Sequence, residues 1–200
     1  MNQLTKEYNT RKTEIKQRLQ DFKTVEGDDV FYELCFCILT PQSSGFRADE
    51  CIQVLKQNDF LKTNFNPKPI LKKKIRFHNN KTKYLLELKK NYPKIKEKLN
   101  STKNKYELRT WLLTNIKGYG LKEVSHFMRN IGHEDLAILD RHILKNLKKH
   151  NVITEVPRFL TKNKYFEIED KFKKFSKEIK IPIDHLDLLF WSQETGKVFK

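Results

Sequence analysis

Apolar residues recur at spacings of three and four along most of this chain, and strict alternation of apolar and polar residues is rare. Positions spaced in this way share one face of an α-helix, so the pattern predicts a succession of amphipathic helices and an all-α fold. The second predicted helix is apolar on most sides, which places it at the centre of the protein. The predicted helices cover residues 4–22, 30–39, 48–55, 81–91, 93–99, 104–115, 121–130, 136–149, 161–179 and 182–191.

The chain between these helices carries clear breaks. Pro41 disfavours helical backbone at Thr40 and ends the second helix. Residues 58–80 contain two further prolines and a run of three lysines, and they are predicted to form turns and one short helix. We expect two helical lobes flanking a cleft: the chain ends, residues 1–80 with 151–200, form one lobe, and residues 81–150, with a hairpin at 116–120, form the other.

Composition adds a strong positive charge to this picture. The 200 residues include 41 Lys and Arg against 25 Asp and Glu, a formal net charge of +16. Such an excess favours a polyanionic partner, either nucleic acid or an anionic membrane surface. Aromatic residues make up 12% of the chain, which argues against disorder because their burial can offset the entropy lost on folding. The apolar runs are too short to span a bilayer and no signal peptide precedes them, so we expect a cytoplasmic protein without a membrane partner.

The cysteines and histidines give no sign of a disulfide framework or a metal site. Cys35, Cys37 and Cys51 are odd in number and confined to the first quarter of the chain, where we expect buried thiols. The six histidines show no paired spacing typical of metal ligands. We therefore expect neither a metal nor another cofactor.

The segment from Ile116 to Gly120 is the most informative turn of the sequence. Gly118 and Gly120 allow positive φ and a close approach of the backbone to a ligand. The N–H groups that begin the next helix add the positive end of a helix dipole, so the turn is suited to hold a phosphate of DNA or RNA. The alternative is a plain connection between two helices with a glycine cap.

Two residues near this turn are candidates for chemistry. Lys122 lies in the first turn of the helix that follows, where the dipole disfavours the ammonium form, and a neutral amine is a nucleophile. Asp140 ends an apolar run and precedes another helix, which is typical of an N-cap residue. A capping carboxylate is held rigidly, so a cap and a catalytic charge are compatible roles.

Several motifs together resemble a known family. The hairpin, Lys122 and Asp140 are similar to the helix-hairpin-helix DNA glycosylase superfamily, whose Gly-x-Gly-x-Lys is followed by an aspartate. More closely, the chain resembles the archaeal-type 8-oxoguanine DNA glycosylase/AP lyase family over almost its whole length. The matching segments are residues 33–43, 76–79, 118–132 and 136–142, together with Trp191 and residues 195–200.

The resemblance implies an activity on double-stranded DNA that contains 8-oxoguanine or abasic sites. Lys122 would attack the deoxyribose C1′, displace the base and form a Schiff base, after which β-elimination cuts the strand 3′ to the site. Asp140 would stabilise the cationic sugar and help to deprotonate the lysine. The family also implies a monomer associated with the nucleoid. Iron–sulfur relatives need four C-terminal cysteines, and no cysteine follows Cys51.

The resemblance also assigns DNA-binding and recognition residues. Arg76 and Phe77 would wedge into the duplex and read the partner base when the damaged base is flipped out, although Phe77 could instead be a core aromatic. The carboxylate of Lys200, the last residue, would accept the N7–H of 8-oxoguanine and repel N7 of guanine. Gly118 and Gly120 would hold the DNA backbone, and Gln42 and Ser43 would line the base pocket. Trp191 would stack on the flipped base or, alternatively, anchor the last helix.

Two other functions remain open at the level of the sequence. The first is a non-catalytic helix-hairpin-helix module that only binds DNA. The second is a glycosylase/lyase for another oxidised base, which would share the lysine and the aspartate but be indifferent to the C-terminus.

Overall fold

The computed structural model describes residues 3–200 and, over this range, consists of ten α-helices joined by turns and loops. The all-α prediction is therefore confirmed. The helices are α1 (Gln3–Lys23), α2 (Asp29–Leu39), α3 (Gly45–Gln57), α4 (Lys68–Lys74), α5 (His78–Ser101), α6 (Lys105–Asn115), α7 (Leu121–Asn130), α8 (Arg141–Lys149), α9 (Lys162–Ile179) and α10 (Ile183–Thr195).

The chain divides into two compact units. One comprises the chain through Thr24 together with Met128–Lys200, and the other comprises Val25–Phe127. The predicted lobes, residues 1–80 with 151–200 and residues 81–150, do not coincide with these units. The reason is that α2 packs against both α3 and α5, which holds residues 25–80 beside the helix that follows them.

Helix α2 is the centre of the Val25–Phe127 unit. Nine of its eleven residues are buried, from Phe31 through Leu39. A helix that is apolar on most sides needs cover from several directions, and α3 and α5 supply it. The three cysteines are buried free thiols, as expected.

Helix α10 has the same role in the other unit, where α1, α8 and α9 pack against it. Phe190 of α10 stacks on Phe172 of α9, with ring centroids 6.3 Å apart. The hydroxyl of Tyr8 in α1 lies 2.8 Å from Nδ1 of His185 in α10, at hydrogen-bond distance. The first and last helices of the chain are thus packed together.

Three predicted helices differ from the structure, in two places. Residues 81–91 and 93–99 belong to one helix, α5, which continues through Pro93. The proline removes a single backbone donor, while the buried stripe of Leu88, Tyr92 and Ile95 runs on across it. In the second case, the helix predicted over 136–149 begins only at Arg141, because residues 136–139 form a buried non-helical segment.

The turn from Ile116 to Gly120 joins α6 to α7 and forms the predicted helix-hairpin-helix. Tyr119 is buried and its hydroxyl donates to the carbonyl oxygen of Leu34 in α2, at 2.9 Å. Gly118 has φ +88°, and a Cβ there would lie 2.5 Å from Cδ2 of Tyr84 in α5. The hairpin is therefore packed against both α2 and α5.

Gly118→Ala is expected to destabilise the protein well beyond the cost of positive φ alone. Left-handed backbone costs an alanine about 1 kcal/mol, and the overlap with Tyr84 adds roughly 1–3 kcal/mol. Gly27→Ala is the matched control, since Gly27 also has positive φ (+59°) but nothing lies within 4 Å of its Cβ position. Denaturant unfolding of both variants measures the difference, and equal losses would contradict the packing of Tyr84 against the hairpin.

Candidate active site

Lys122 lies in the first turn of α7, immediately after the hairpin. Its side chain is 22% exposed, and Nζ is 3.7 Å from Oε1 of Glu123. The other carboxylate oxygen of Glu123 accepts a hydrogen bond from the N–H of Gly120, at 3.0 Å. The lysine amine is therefore partly shielded from water and adjacent to a carboxylate that is itself held by the hairpin.

The glycines of the hairpin differ in their function. Gly118 adopts positive φ, as expected for such a turn, whereas Gly120 does not. A Cβ on Gly120 would lie 3.0 Å from Oε2 of Glu123, so the absence of a side chain there makes room for the carboxylate. The N–H of Gly120 donates to this carboxylate, in the manner of a capping box.

Lys81, in the first turn of α5, is a buried cation that the sequence analysis did not single out. Its Nζ donates to the carbonyl oxygens of Leu39 and Pro41, at 2.7 and 2.6 Å, and to the hydroxyl of Ser43, at 3.2 Å. Burial is the main reason that its pKa falls to about 8, and the positive charge of Lys122 lowers the pKa further while Glu123 raises it. One signal was available: Lys81 occupies the buried stripe that continues through Leu85 and Leu88.

Arg76 and Phe77 form the turn that leads into α5. Phe77 is 53% exposed, has φ +56° and carries the guanidinium of Arg76 at 5.6 Å from its ring centroid. Phe77 is therefore not a core aromatic, which removes that alternative. An exposed aromatic residue in left-handed backbone is costly and is typical of functional positions.

Gln42 and Ser43 lie in the turn after α2. Gln42 is exposed and also has positive φ, +54°. The hydroxyl of Ser43 accepts from the backbone N–H of Arg76, at 3.2 Å, as well as from Lys81. One hydrogen bond thus joins Ser43, predicted near the base pocket, to Arg76 of the predicted wedge.

Asp140 is the N-cap residue of α8. Its Oδ1 accepts hydrogen bonds from the N–H groups of His142 and Ile143, at 2.8 and 2.9 Å, which confirms the predicted cap. Oδ2 is the oxygen that the cap does not use.

Side chains of α9 hold the segment that precedes Asp140. Tyr165 donates its hydroxyl proton to the carbonyl oxygen of Ala137, at 2.7 Å, and its oxygen accepts from the N–H of Leu139, at 3.3 Å. Glu169 accepts from the N–H of Ala137, at 3.1 Å. These bonds satisfy buried backbone groups that would otherwise be costly, and they set the position of the carboxylate.

The C-terminal tail is tied to the helices that precede it. Val198 is buried, and the ring of Phe199 lies 5.9 Å from that of Trp191. Arg11 donates to the carbonyl oxygen of Gly196, at 3.3 Å, and Lys200 itself is half-buried. The contact with Phe199 supports the alternative in which Trp191 anchors the end of the chain.

The predicted site residues fall into two groups. The unit Val25–Phe127 contains the hairpin glycines and Lys122, together with Ser43 and Arg76, which share a hydrogen bond. Asp140, Trp191 and Lys200 belong to the other unit, in which α8 packs against α10.

Two features are absent from the described part of the chain, residues 3–200. No group of three His, Cys, Asp or Glu side chains there is arranged to hold a metal ion. No helix there is both long enough and apolar enough to cross a membrane.

Comparison with known sequences agrees with the motifs. Residues 15–181 match the family model described as 8-oxoguanine DNA glycosylase. An 8-oxoguanine DNA glycosylase/AP lyase from Fusobacterium nucleatum subsp. nucleatum is 42% identical, and the match covers 100% of this chain and 97% of that protein. A protein of the same name from Methanocaldococcus jannaschii is 38% identical, with coverages of 93% and 91%.

Solved structures agree as well. The 8-oxoguanine glycosylase/lyase of M. jannaschii, in complex with a 15mer DNA containing 8-oxoguanine, matches with a TM-score of 0.89 and 34% identity over 100% of both chains. The 8-oxoguanine DNA glycosylase of Thermotoga maritima matches with a TM-score of 0.87 and 30% identity, covering 98% of this chain and 96% of the other. Sequence, fold and hairpin therefore lead to one conclusion: this chain belongs to the 8-oxoguanine DNA glycosylase/AP lyase family, with a helix-hairpin-helix fold.

Proposed function

We propose that this protein excises 8-oxoguanine from double-stranded DNA and then cleaves the strand 3′ to the abasic site, with Lys122 as the nucleophile. The observation that carries the proposal is the position of Lys122 in the first turn of α7, partly shielded and directly after the Gly-x-Gly hairpin. The names of the relatives, which are 33–42% identical over at least 93% of this chain, support the same activity.

The proposed reaction begins when the neutral Nζ of Lys122 attacks C1′ of the damaged nucleotide. The C1′–N9 bond breaks as the Nζ–C1′ bond forms, and the base leaves with the bonding electron pair and takes up a proton. One Nζ proton balances the proton taken up by the base, and the other passes to O4′ as the C1′–O4′ bond breaks and the C1′=Nζ bond of the imine forms. The imine acidifies the 2′ hydrogen, and removal of that proton expels the 3′ phosphate. Water then hydrolyses the imine and releases the lysine.

Asp140 is proposed to stabilise the sugar as positive charge develops on it. A fixed carboxylate accelerates a reaction most when the positive charge that it stabilises develops only in the transition state. The two cap bonds use Oδ1, and the side chains of α9 hold the preceding segment. The carboxylate is therefore already ordered before the reaction begins. The same group is suited to accept a proton from the ammonium form of Lys122.

The C-terminal carboxylate of Lys200 is proposed to distinguish 8-oxoguanine from guanine. N7 carries a hydrogen in 8-oxoguanine and a lone pair in guanine, so a carboxylate attracts the first and repels the second. Burial of Val198 and the contact of Phe199 with Trp191 give the tail a defined path, which such discrimination requires.

The remaining residues are proposed to bind and open the duplex. Phe77, exposed and followed directly by α5, is suited to fill the gap left by a flipped base, and Arg76 to contact the partner base. Gly118 and Gly120 would contact the DNA backbone, and Gln42 and Ser43 would line the base pocket. Trp191 would either stack on the flipped base or, through its contact with Phe199, anchor the end of the chain. We further propose that the protein acts as a monomer, accepts abasic sites and is associated with the nucleoid.

Lys122→Gln is expected to abolish covalent trapping by borohydride on DNA that contains 8-oxoguanine opposite cytosine. The amide cannot form an imine, so the trapped band on a denaturing gel should fall at least about 100-fold. Lys117→Gln is the matched control because Lys117 lies in the same hairpin, is exposed and should trap as the wild type does. Undiminished trapping by Lys122→Gln would show that another residue is the nucleophile, and DNA binding without any trapping by the wild type would favour the non-catalytic module.

Asp140→Asn is expected to separate the cap from the catalytic charge. Asparagine keeps an oxygen for the N–H groups of His142 and Ile143, so stability and DNA affinity should stay near the wild-type values. Base excision, measured in single-turnover assays, should fall about 100-fold or more because the charge that stabilises the sugar is lost. Asp140→Ser, another good cap without a charge, should behave alike, and full activity in either variant would leave Asp140 with a capping role only.

Extension of the chain by three residues after Lys200 is expected to reduce discrimination against guanine. The extension moves the terminal carboxylate, and one charge-assisted hydrogen bond of about 1.5–3 kcal/mol corresponds to a loss of roughly tenfold or more in preference. Competitive excision assays on 8-oxoguanine and guanine substrates measure the ratio, and cleavage of abasic-site DNA by the same variant is the internal control. Unchanged discrimination would contradict the proposed role of the terminal carboxylate and would favour a glycosylase for a different oxidised base.

A further inference from the structure

We propose that Tyr165 is a positioning residue for the reaction: its buried hydroxyl fixes the backbone turn that presents the carboxylate of Asp140. The proposal rests on the proposed function, because it concerns the carboxylate that is assigned there to stabilise the sugar. Both residues belong to the compact unit that includes Met128–Lys200. Tyr165 is only 3% exposed, so it acts on the reaction through Asp140 rather than by touching the DNA.

The segment that leads to Asp140, residues 136–139, is buried but not helical. A helix satisfies its own backbone groups, whereas a buried irregular segment needs hydrogen-bond partners from elsewhere in the fold. Helix α9 supplies them through Tyr165 and Glu169, which are four residues apart and therefore share one face of the helix. Both side chains are buried, so these bonds are shielded from water.

The hydroxyl of Tyr165 uses both its hydrogen and its oxygen on this segment. It donates to the carbonyl oxygen of Ala137, at 2.7 Å, and accepts from the N–H of Leu139, at 3.3 Å. Directly after these two bonds, the N–H of Asp140 donates to the carbonyl oxygen of Ile138, at 2.9 Å. A hydrogen bond between residues two apart closes a γ-turn. The hydroxyl therefore holds the γ-turn whose last residue is the aspartate.

Other side chains hold the earlier part of the same segment. Glu169 accepts from the N–H of Ala137, at 3.1 Å. One step further back, Asp184 of α10 accepts from the N–H of Asp135, at 2.9 Å. These bonds do not involve Tyr165, whose hydroxyl is bonded to the last residue of the segment. Loss of the hydroxyl should therefore move the final turn while the rest of the segment stays in place.

Helix α8 holds the other side of Asp140. Its Oδ1 accepts from the N–H groups of His142 and Ile143, and its carbonyl oxygen accepts from the N–H of Leu144, at 2.9 Å. The direction of the carboxylate is thus set by α8 on one side and by the turn that Tyr165 holds on the other. Catalytic groups tolerate little displacement, since a shift of about 1 Å can cost roughly 100-fold in rate.

The first experiment measures single-turnover excision of 8-oxoguanine by Tyr165→Phe. Phenylalanine keeps the ring that fills the core, so the variant folds and lacks only the hydroxyl. Excision should be about tenfold slower, with DNA affinity within about twofold of the wild type, because the carboxylate is displaced but not lost.

Ser176→Ala is the matched control for this variant. Ser176 lies in the same helix, and its buried hydroxyl donates to the carbonyl oxygen of Ile181, at 2.7 Å. Its loss also removes a buried bond to the backbone, so denaturant unfolding should show a comparable loss of stability. Excision should nevertheless stay within about twofold of the wild type, because Ser176 is bonded far from the turn before Asp140. Equal excision rates in Tyr165→Phe and Ser176→Ala would overturn the proposal.

A double-mutant cycle separates positioning from a general loosening of the structure. If Tyr165 acts through the charge of Asp140, its hydroxyl should matter little once that charge is gone. Adding Tyr165→Phe to Asp140→Asn should therefore slow the remaining excision by no more than about twofold, since residues that act as a unit are not additive. A further loss of about tenfold in that background would overturn the proposal, because Tyr165 would then act independently of the carboxylate.

The second experiment needs no catalysis and follows amide hydrogen exchange by NMR in the protein without DNA. The two N–H groups that donate to Asp140 report on the cap, and the N–H of Leu147, buried in α8, reports on opening of the whole helix. The ratio of cap exchange to Leu147 exchange should rise about threefold or more in Tyr165→Phe and stay unchanged in Ser176→Ala. An unchanged ratio in Tyr165→Phe would overturn the proposal whatever the enzyme does. A wild type that excises nothing, while the ratio still rises in Tyr165→Phe, would overturn only the proposed function.

Discussion

The burial of α2 is the constraint on which the geometry around Lys122 depends. Its side chains from Phe31 to Leu39 are buried, so the helix cannot turn or slide without exposing apolar surface. Tyr119 bonds the hairpin to the carbonyl oxygen of Leu34, and Lys81 bonds the start of α5 to the carbonyl oxygen of Leu39. An apolar helix thus provides two fixed acceptors, one for the hairpin that precedes Lys122 and one for the start of α5.

The polar groups near the proposed catalytic residues have clear structural functions. Glu123 accepts from Gly120 and lies beside Lys122, so the carboxylate that orders the hairpin also contributes to the charge balance of the amine. Asp140 caps α8 through one oxygen and retains the other. Because a buried or partly buried charge must be held by hydrogen bonds, the groups that are ordered for stability are also preorganised for a reaction.

Local signals in the sequence were sufficient to single out several candidate residues. Gly118 could be predicted as a turn residue because a tight turn needs positive φ. Asp140 could be predicted as an N-cap because an acid between an apolar run and a helix is a good cap. Lys122 could be named as the candidate nucleophile because it follows the hairpin within one helical turn. The motifs shared with the glycosylases lie in continuous segments, so they could be identified without the fold. Lys81 and Glu123 were missed because their partners are brought to them by the packing of α2, α5 and α7, and a stretch of sequence does not specify such partners.

The sequence by itself determined the helical fold, the hairpin, the family and the candidate nucleophile, since each depends on residues that are neighbours along the chain or along one helix. Only the tertiary structure showed that α5 continues through Pro93, that residues 136–139 are held by Tyr165 and Glu169, and that the N–H of Gly120 is already bonded. It also showed that Lys81, in this strongly basic chain, is buried and donates to three oxygen acceptors. These features depend on free energies of burial and on hydrogen bonds between distant segments, which exist only once the helices are packed.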